Sequence, residues 1–221
     1  MKWRRYNWFL ILSTLVLSFS VLISLIFPRE VIHIGINNLH FTVLDRVFKT
    51  WTLLGDGLII LVVVLVPLFF KIRYSLILFT GYAISGLSAQ LLKRLFFSDS
   101  ARPVNYFRLH GIEHDLYLVP GVELHSWNSF PSGHAATAFG VFFGLSLILN
   151  SRWGQLSAFV AALGVAFSRI YLSQHFLEDI MAGSLLGIMV TLFISSLLLN
   201  WKNPWLDRSL IKVKTQKNVQ V

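Results

Sequence analysis

Three short stretches of this 221-residue chain carry residue types suited to phosphate chemistry. Lys93 is followed by Arg102–Pro103, then comes Pro131–Ser132–Gly133–His134, then Ser168–Arg169 with His175 and Asp179. Each stretch lies at the edge of an apolar segment, where a cation or imidazole is costly against lipid unless it has a partner or a task. A phosphoryl group in transfer spreads negative charge over its equatorial oxygens, and fixed cations stabilise that charge. Arginine supplies a bidentate fork and lysine a point charge, so Lys93, Arg102 and Arg169 are candidate phosphate ligands. The competing reading is snorkelling to lipid phosphates, which suits Arg46, Lys49 and Arg94 better.

His175 and Asp179 are four apart, a spacing that puts them on one face of a helix. The carboxylate would take the proton on one ring nitrogen and leave the other as a nucleophile. The pair reads equally as a cap on the last apolar segment. Pro131–His134 immediately precedes an apolar helix, whose free N–H groups and partial positive charge suit an anion. Ser132 is either the cap or a donor to phosphate, Gly133 allows close backbone approach, and His134 sits where it could protonate a leaving oxygen. Asp56, in Leu54–Gly55–Asp56–Gly57, either supports the site or caps a helix; a carboxylate at that depth needs a partner. His110, His114 and His125 accompany Glu113, Asp115 and Glu123 in a polar stretch, but their spacing matches no tight zinc pattern, and no metal or cofactor is expected.

The elements that must position these groups are all helical. The chain is 55% hydrophobic and 13% charged, with mean hydropathy +0.67, where a soluble domain would carry about 25% charge. Six apolar segments, at about 8–27, 53–70, 75–92, 134–149, 155–172 and 181–200, predict an all-α, six-span membrane bundle over residues 1–201. The first segment follows Lys2, Arg4 and Arg5 as a signal peptide would. Its run exceeds the usual ~7–15 apolar residues and no small-x-small site follows, so a retained span is expected. Apolar positions within 41–51 suggest a short interfacial helix or a plain loop, and 101–130 is a long outer loop suited to covering a site. Residues 202–221 form a basic tail, expected to be disordered or on the membrane surface.

The net charge is +9 and the pI near 10.1, yet the basic residues sit mostly at the ends of apolar segments. That distribution points to lipid head groups and an anionic substrate rather than nucleic acid. With the N-terminus inside, eleven Lys and Arg fall on the inner side and eight outside, of which Lys93, Arg102 and Arg169 belong to the candidate site. Both termini are therefore expected in the cytoplasm and the three stretches on the outer face. The absence of cysteine excludes disulfides and thiol chemistry.

The pattern resembles the type 2 phosphatidic acid phosphatase superfamily, integral-membrane phosphatases related to vanadium haloperoxidases. That family carries Lys-x6-Arg-Pro, Pro-Ser-Gly-His and Ser-Arg-x5-His-x3-Asp. The second and third motifs match in full; the first has eight residues between Lys93 and Arg102 instead of six. The resemblance implies a metal-independent, two-step reaction. His175 would attack phosphorus to form a phosphohistidine, with Asp179 orienting it. His134 would protonate the leaving group and then activate water, while Lys93, Arg102, Ser132, Gly133 and Arg169 hold the phosphate. It implies a lipid phosphomonoester or diphosphate substrate in a bacterial inner membrane: undecaprenyl diphosphate, favoured narrowly, or phosphatidylglycerol phosphate, phosphatidate or a lipid A phosphate. A phosphotransferase using the same intermediate, and a non-catalytic transporter or structural protein, are the alternatives. Oligomeric state is not addressed by the sequence.

Overall fold

The structure, a computed structural model, describes residues 7–210. It is helical, with no strand among the described residues. The helices are α1 (Trp8–Ile26), α2 (Arg29–Asn37), α3 (Thr42–Trp51), α4 (Gly57–Leu65), α5 (Ile72–Phe96), α6 (Pro103–Leu109), α7 (Gly133–Leu149), α8 (Arg152–Tyr171) and α9 (Leu177–Asn200). Short 3-10 turns follow α3, α4 and α9. Four helices, α1, α5, α8 and α9, are long and apolar enough to cross a membrane. A fifth crossing arises if α3 and α4 with their 3-10 turns count as one unit; α7 is a shorter apolar helix of 17 residues.

α7 is the hub, packed by α5, α8 and α9. Its sequence is apolar all round, and its buried positions run unbroken from Ala135 to Gly144, as befits a helix with no solvent face. Small residues let α9 approach it closely. A Cβ on Gly183 or Gly187 would collide with the carbonyl oxygens of Ser132 and Ala136 on α7. These glycines are four apart, the spacing that lets membrane helices touch backbone to backbone. α1 is tied in by Phe9, fully buried against Phe139, Phe143 and Phe159 with ring centroids 5.5–5.8 Å apart. Outward positions such as Leu15, Phe19, Leu25, Leu58 and Phe193 stay exposed, a surface suited to acyl chains rather than water.

Three expectations are corrected. The second segment is not one continuous helix. It is bent by 56° at Gly55–Gly57, where Asp56 is extended at φ −76, ψ 142, and Pro67 adds a second 3-10 turn. His175 is not on a helix with Asp179: α9 begins at Leu177, and His175 lies in the turn after α8. The start of the tail is ordered. Asp207 meets Arg73 at 2.7 Å, and the Ile72 amide donates to the Arg208 carbonyl. Residues 211–221 lie outside the described part, as do Lys2, Arg4 and Arg5. The 41–51 helix is present as α3, while α2 and α6 were not foreseen.

Candidate active site

All the candidate residues gather at one end of the bundle. Lys93 is in the last turn of α5, Arg169 in the last turn of α8, His134 in the first turn of α7 and Asp179 in the first turn of α9. Helices alternating in direction bring those termini together, although the residues are spread over more than 120 positions (Asp56 to Asp179).

The nucleophile candidate is built by the turn leaving α8. Ser173 takes positive φ (52°), and the amides of Gln174 and His175 both donate to the Arg169 carbonyl, at 2.9 and 3.1 Å. This folds His175 back under the end of α8, where it is 1% exposed. Its Nδ1 lies 3.3 Å from Asp179 Oδ2. The same oxygen accepts the Ser129 hydroxyl at 2.5 Å and the Phe176 amide at 2.8 Å. Asp179 therefore caps α9 and holds the imidazole at once; the two readings of this pair are both true of the geometry. With Nδ1 engaged, Nε2 is the nitrogen without a protein partner among the described residues. Burial, and then the charges of Arg102, Lys93 and Arg169, hold the His175 ring well below its ordinary pKa, which favours the neutral imidazole.

The cations surround it and are themselves held. Lys93, 5% exposed, donates from Nζ to the Asn128 carbonyl at 2.9 Å. Arg102 reaches the Trp127 carbonyl and, at 3.0 Å, Gln174 Oε1. Arg169 donates to Thr52 Oγ1 at 2.9 Å and to the same Gln174 oxygen at 3.4 Å, while its buried Nε–H has no partner among the described residues. The two extra residues of the first motif are absorbed in a turn in which the Ser100 amide returns to the Phe97 carbonyl. Lys93 thus still reaches the Asn128 segment.

Ser132 caps α7, its Oγ accepting the Ala135 amide at 3.4 Å, and its own amide donates to the Asp179 carbonyl at 2.9 Å. Capping leaves the Gly133 and His134 amides as the free donors of the first turn, an arrangement suited to an anion. His134 Nε2 lies 3.2 Å from Asp56 Oδ1. An open cavity of ≈ 580 Å³ runs from Asp56, Gly133 and His134 past Gln90 and Tyr82 to Phe79 and Leu87.

Sequence reasoning missed Ser129, Gln174 and Thr52. Gln174 immediately precedes His175, and a lone amide there was the available signal; Ser129 and Thr52 gave none. His110 is stacked on Tyr106 with its Nδ1 at the Tyr106 carbonyl. Among the described residues no group of three or more His, Asp or Glu side chains is placed to hold a metal.

Known proteins resemble this chain in sequence and in fold. A lipid A 1-phosphatase of Rhizobium etli is 33% identical over 110 residues, covering 50% of this chain and 44% of that protein. The chain thus spans less than half the length of the curated relatives it first matches. The crystal structure of Aquifex aeolicus LpxE superposes with TM-score 0.64 at 25% identity, covering 75% of this chain and 93% of that one. The membrane PAP2-type phosphatidylglycerolphosphate phosphatase of Bacillus subtilis shares the fold, with TM-score 0.58 at 23% identity over 86% and 91% of the two chains. The sequence profile of the PAP2 superfamily matches residues 74–203, more than half the chain, from α5 through the end of α9. This integral membrane protein belongs to the PAP2 superfamily.

Proposed function

We propose that the protein is a lipid phosphatase acting through a phosphohistidine. The observation that carries this reading is the buried His175, neutral, oriented by Asp179 and Ser129 and ringed by Lys93, Arg102 and Arg169. A substrate phosphate seats among these cations and the first-turn amides of α7. The lone pair on His175 Nε2 forms the N–P bond as the P–O bond to the lipid breaks. The departing oxygen keeps the electron pair of the broken P–O bond and takes a proton from the His134 imidazolium, which becomes neutral. A water then attacks phosphorus, giving its proton to His134, and the N–P pair returns to Nε2. No step calls for a metal ion: the charge a metal would neutralise is met by three cations.

The relatives' names point to lipid A phosphates and phosphatidylglycerol phosphate, which we place ahead of a polyprenyl diphosphate as substrates. The apolar body of the lipid lies in the cavity between α4 and α5. We further propose six crossings, counting the bent α3–α4 unit as the second and α7 as the fourth, in a bacterial inner membrane. The basic residues support cytoplasmic termini and an outward-facing site. Because the chain lacks cysteine, a single cysteine at His114 should label with an impermeant maleimide from outside intact spheroplasts; labelling only after lysis reverses the orientation.

The functional test is phosphate release from a panel of lipid phosphates by purified protein. Wild type should release phosphate without added metal, and His175→Ala should lose at least ~10³-fold, as loss of a covalent nucleophile does. Equal rates for the two proteins would remove His175 from the chemistry.

A further inference from the structure

His134 has a carboxylate of its own, and nothing in the phosphate cradle requires it. Asp56 Oδ1 lies 3.2 Å from His134 Nε2, with the two side chains 46% and 35% exposed. The contact depends on the break in the second segment. Asp56 is extended, between two glycines that are pressed against neighbours. A Cβ on Gly55 would meet Val165 at 2.7 Å and the His134 ring at 3.2 Å, and one on Gly57 would meet the Tyr82 hydroxyl at 2.9 Å. An uninterrupted helix would give up both the extended backbone and this fit. The bend therefore seats the Gly55–Asp56 backbone directly on the His134 ring.

The cavity shows which side of the reaction this pair serves. Asp56 and His134 line it; Lys93, Arg102, Arg169 and His175 do not. With phosphorus held by the cations in front of His175, the cavity is where the lipid and its departing oxygen lie. The polar side chains on that side are then His134, Asp56, Gln90, Tyr82 and Thr137, with no lysine or arginine among the lining residues.

We infer that Asp56 is a positioning residue that holds His134 for proton transfer to the lipid oxygen and thereby favours phosphate monoesters of lipid alcohols over lipid diphosphates. This rests on the phosphatase reading above. An alkoxide is a strong base and leaves slowly unless a held acid protonates it, a contribution of typically ~10²–10⁴-fold. A phosphate leaving group departs as a stable anion and gains little from that proton. Once His134 has given up its proton, that anion would face the Asp56 carboxylate with no lysine or arginine in the lining to offset it, which disfavours the diphosphate by repulsion.

The experiment compares kcat/KM for a lipid phosphomonoester and a lipid diphosphate of matched chain length, in wild type and in Asp56→Asn, a near-isosteric change. The ratio kcat/KM reports the steps through P–O cleavage and is blind to the shared hydrolysis of the phosphohistidine. Wild type should prefer the monoester. Asp56→Asn should lose about 10²-fold on the monoester and less than about tenfold on the diphosphate, and a series of aryl phosphates should show a steeper dependence on leaving-group basicity. Equal losses on both lipids would make Asp56 a structural residue and overturn the inference, as would a wild type that prefers the diphosphate. The wild-type comparison stands even if the variant does not fold. A wild type inactive on both lipids would instead remove the phosphatase reading itself, and the inference with it.

Discussion

Gln174 shows how much of this site is second-layer work by single side chains. Its Oε1 accepts from Arg102 and Arg169 while its Nε2 donates to the Glu123 carbonyl at 2.8 Å. Two guanidinium groups that would repel each other are held facing one point, before any phosphate arrives. His33 does similar work behind His175. It is buried between the Phe107 and Phe176 rings, with Nε2 3.2 Å from the Ser173 hydroxyl in the turn that delivers His175. Burial, and then the neighbouring His40, push its pKa down to about 4. The native protein therefore holds fewer protons than the unfolded chain between about pH 4 and the ordinary histidine value near 6.5. Unfolding free energy should rise with pH across that window and level off above it. His175, also held low, adds in the same direction. Thermal unfolding in detergent from about pH 4.5 to 7.5 measures this, and His33→Asn should flatten the slope; an unchanged slope would mean that His33 is protonated in the fold.

At the scale of elements, the contact between α7 and α9 sets the site. Gly183 and Gly187 bring α9 onto the α7 backbone, and the Ser132 amide then reaches the Asp179 carbonyl. Gly187→Ala should cost on the order of 1–3 kcal/mol by overpacking, read as a lower unfolding temperature. Gly35→Ala is the matched control: a Cβ there meets nothing within 4 Å. It should be neutral or stabilising by about 0.5–1 kcal/mol. Equal effects at the two glycines would contradict the close helix contact. Long apolar runs made α1, α5, α8 and α9 legible in the sequence, and Ser132 marked the start of α7. The bend at Asp56 was not legible, because Gly-Asp-Gly reads as well as a helix start as a break. Nor was the departure of His175 from helix: a four-residue spacing fits a helical face, but an Asp at the third helical position also caps the start of its helix, which leaves His175 before it. Ser129 acts only through long-range folding, which no local pattern reveals.

The whole molecule is fastened at both ends. At the site end, Asn37 pairs with both backbone groups of Tyr117 at 2.9 Å. Asp45 accepts from the Tyr117 and Tyr171 hydroxyls and from His40, tying the 110–130 segment to α3 and α8. That segment carries the carbonyls of Trp127 and Asn128 and the Ser129 hydroxyl, so what reads as a covering loop also builds the cradle. At the other end Arg73 gathers the Leu198 and Trp201 carbonyls and the Asp207 carboxylate, joining the start of α5 to the end of α9. Between the two, the bundle gathers helix termini carrying cations and imidazoles at one end.

The central claim is that a phosphoryl group passes from lipid to His175. Purified protein mixed with a lipid carrying labelled phosphate, quenched in alkali within milliseconds and digested, gives the direct answer. One peptide containing His175 should carry label that survives alkali and is lost in mild acid, and His175→Ala should carry none while still binding the lipid. Label absent from wild type during active turnover, or found on another residue, would contradict the mechanism.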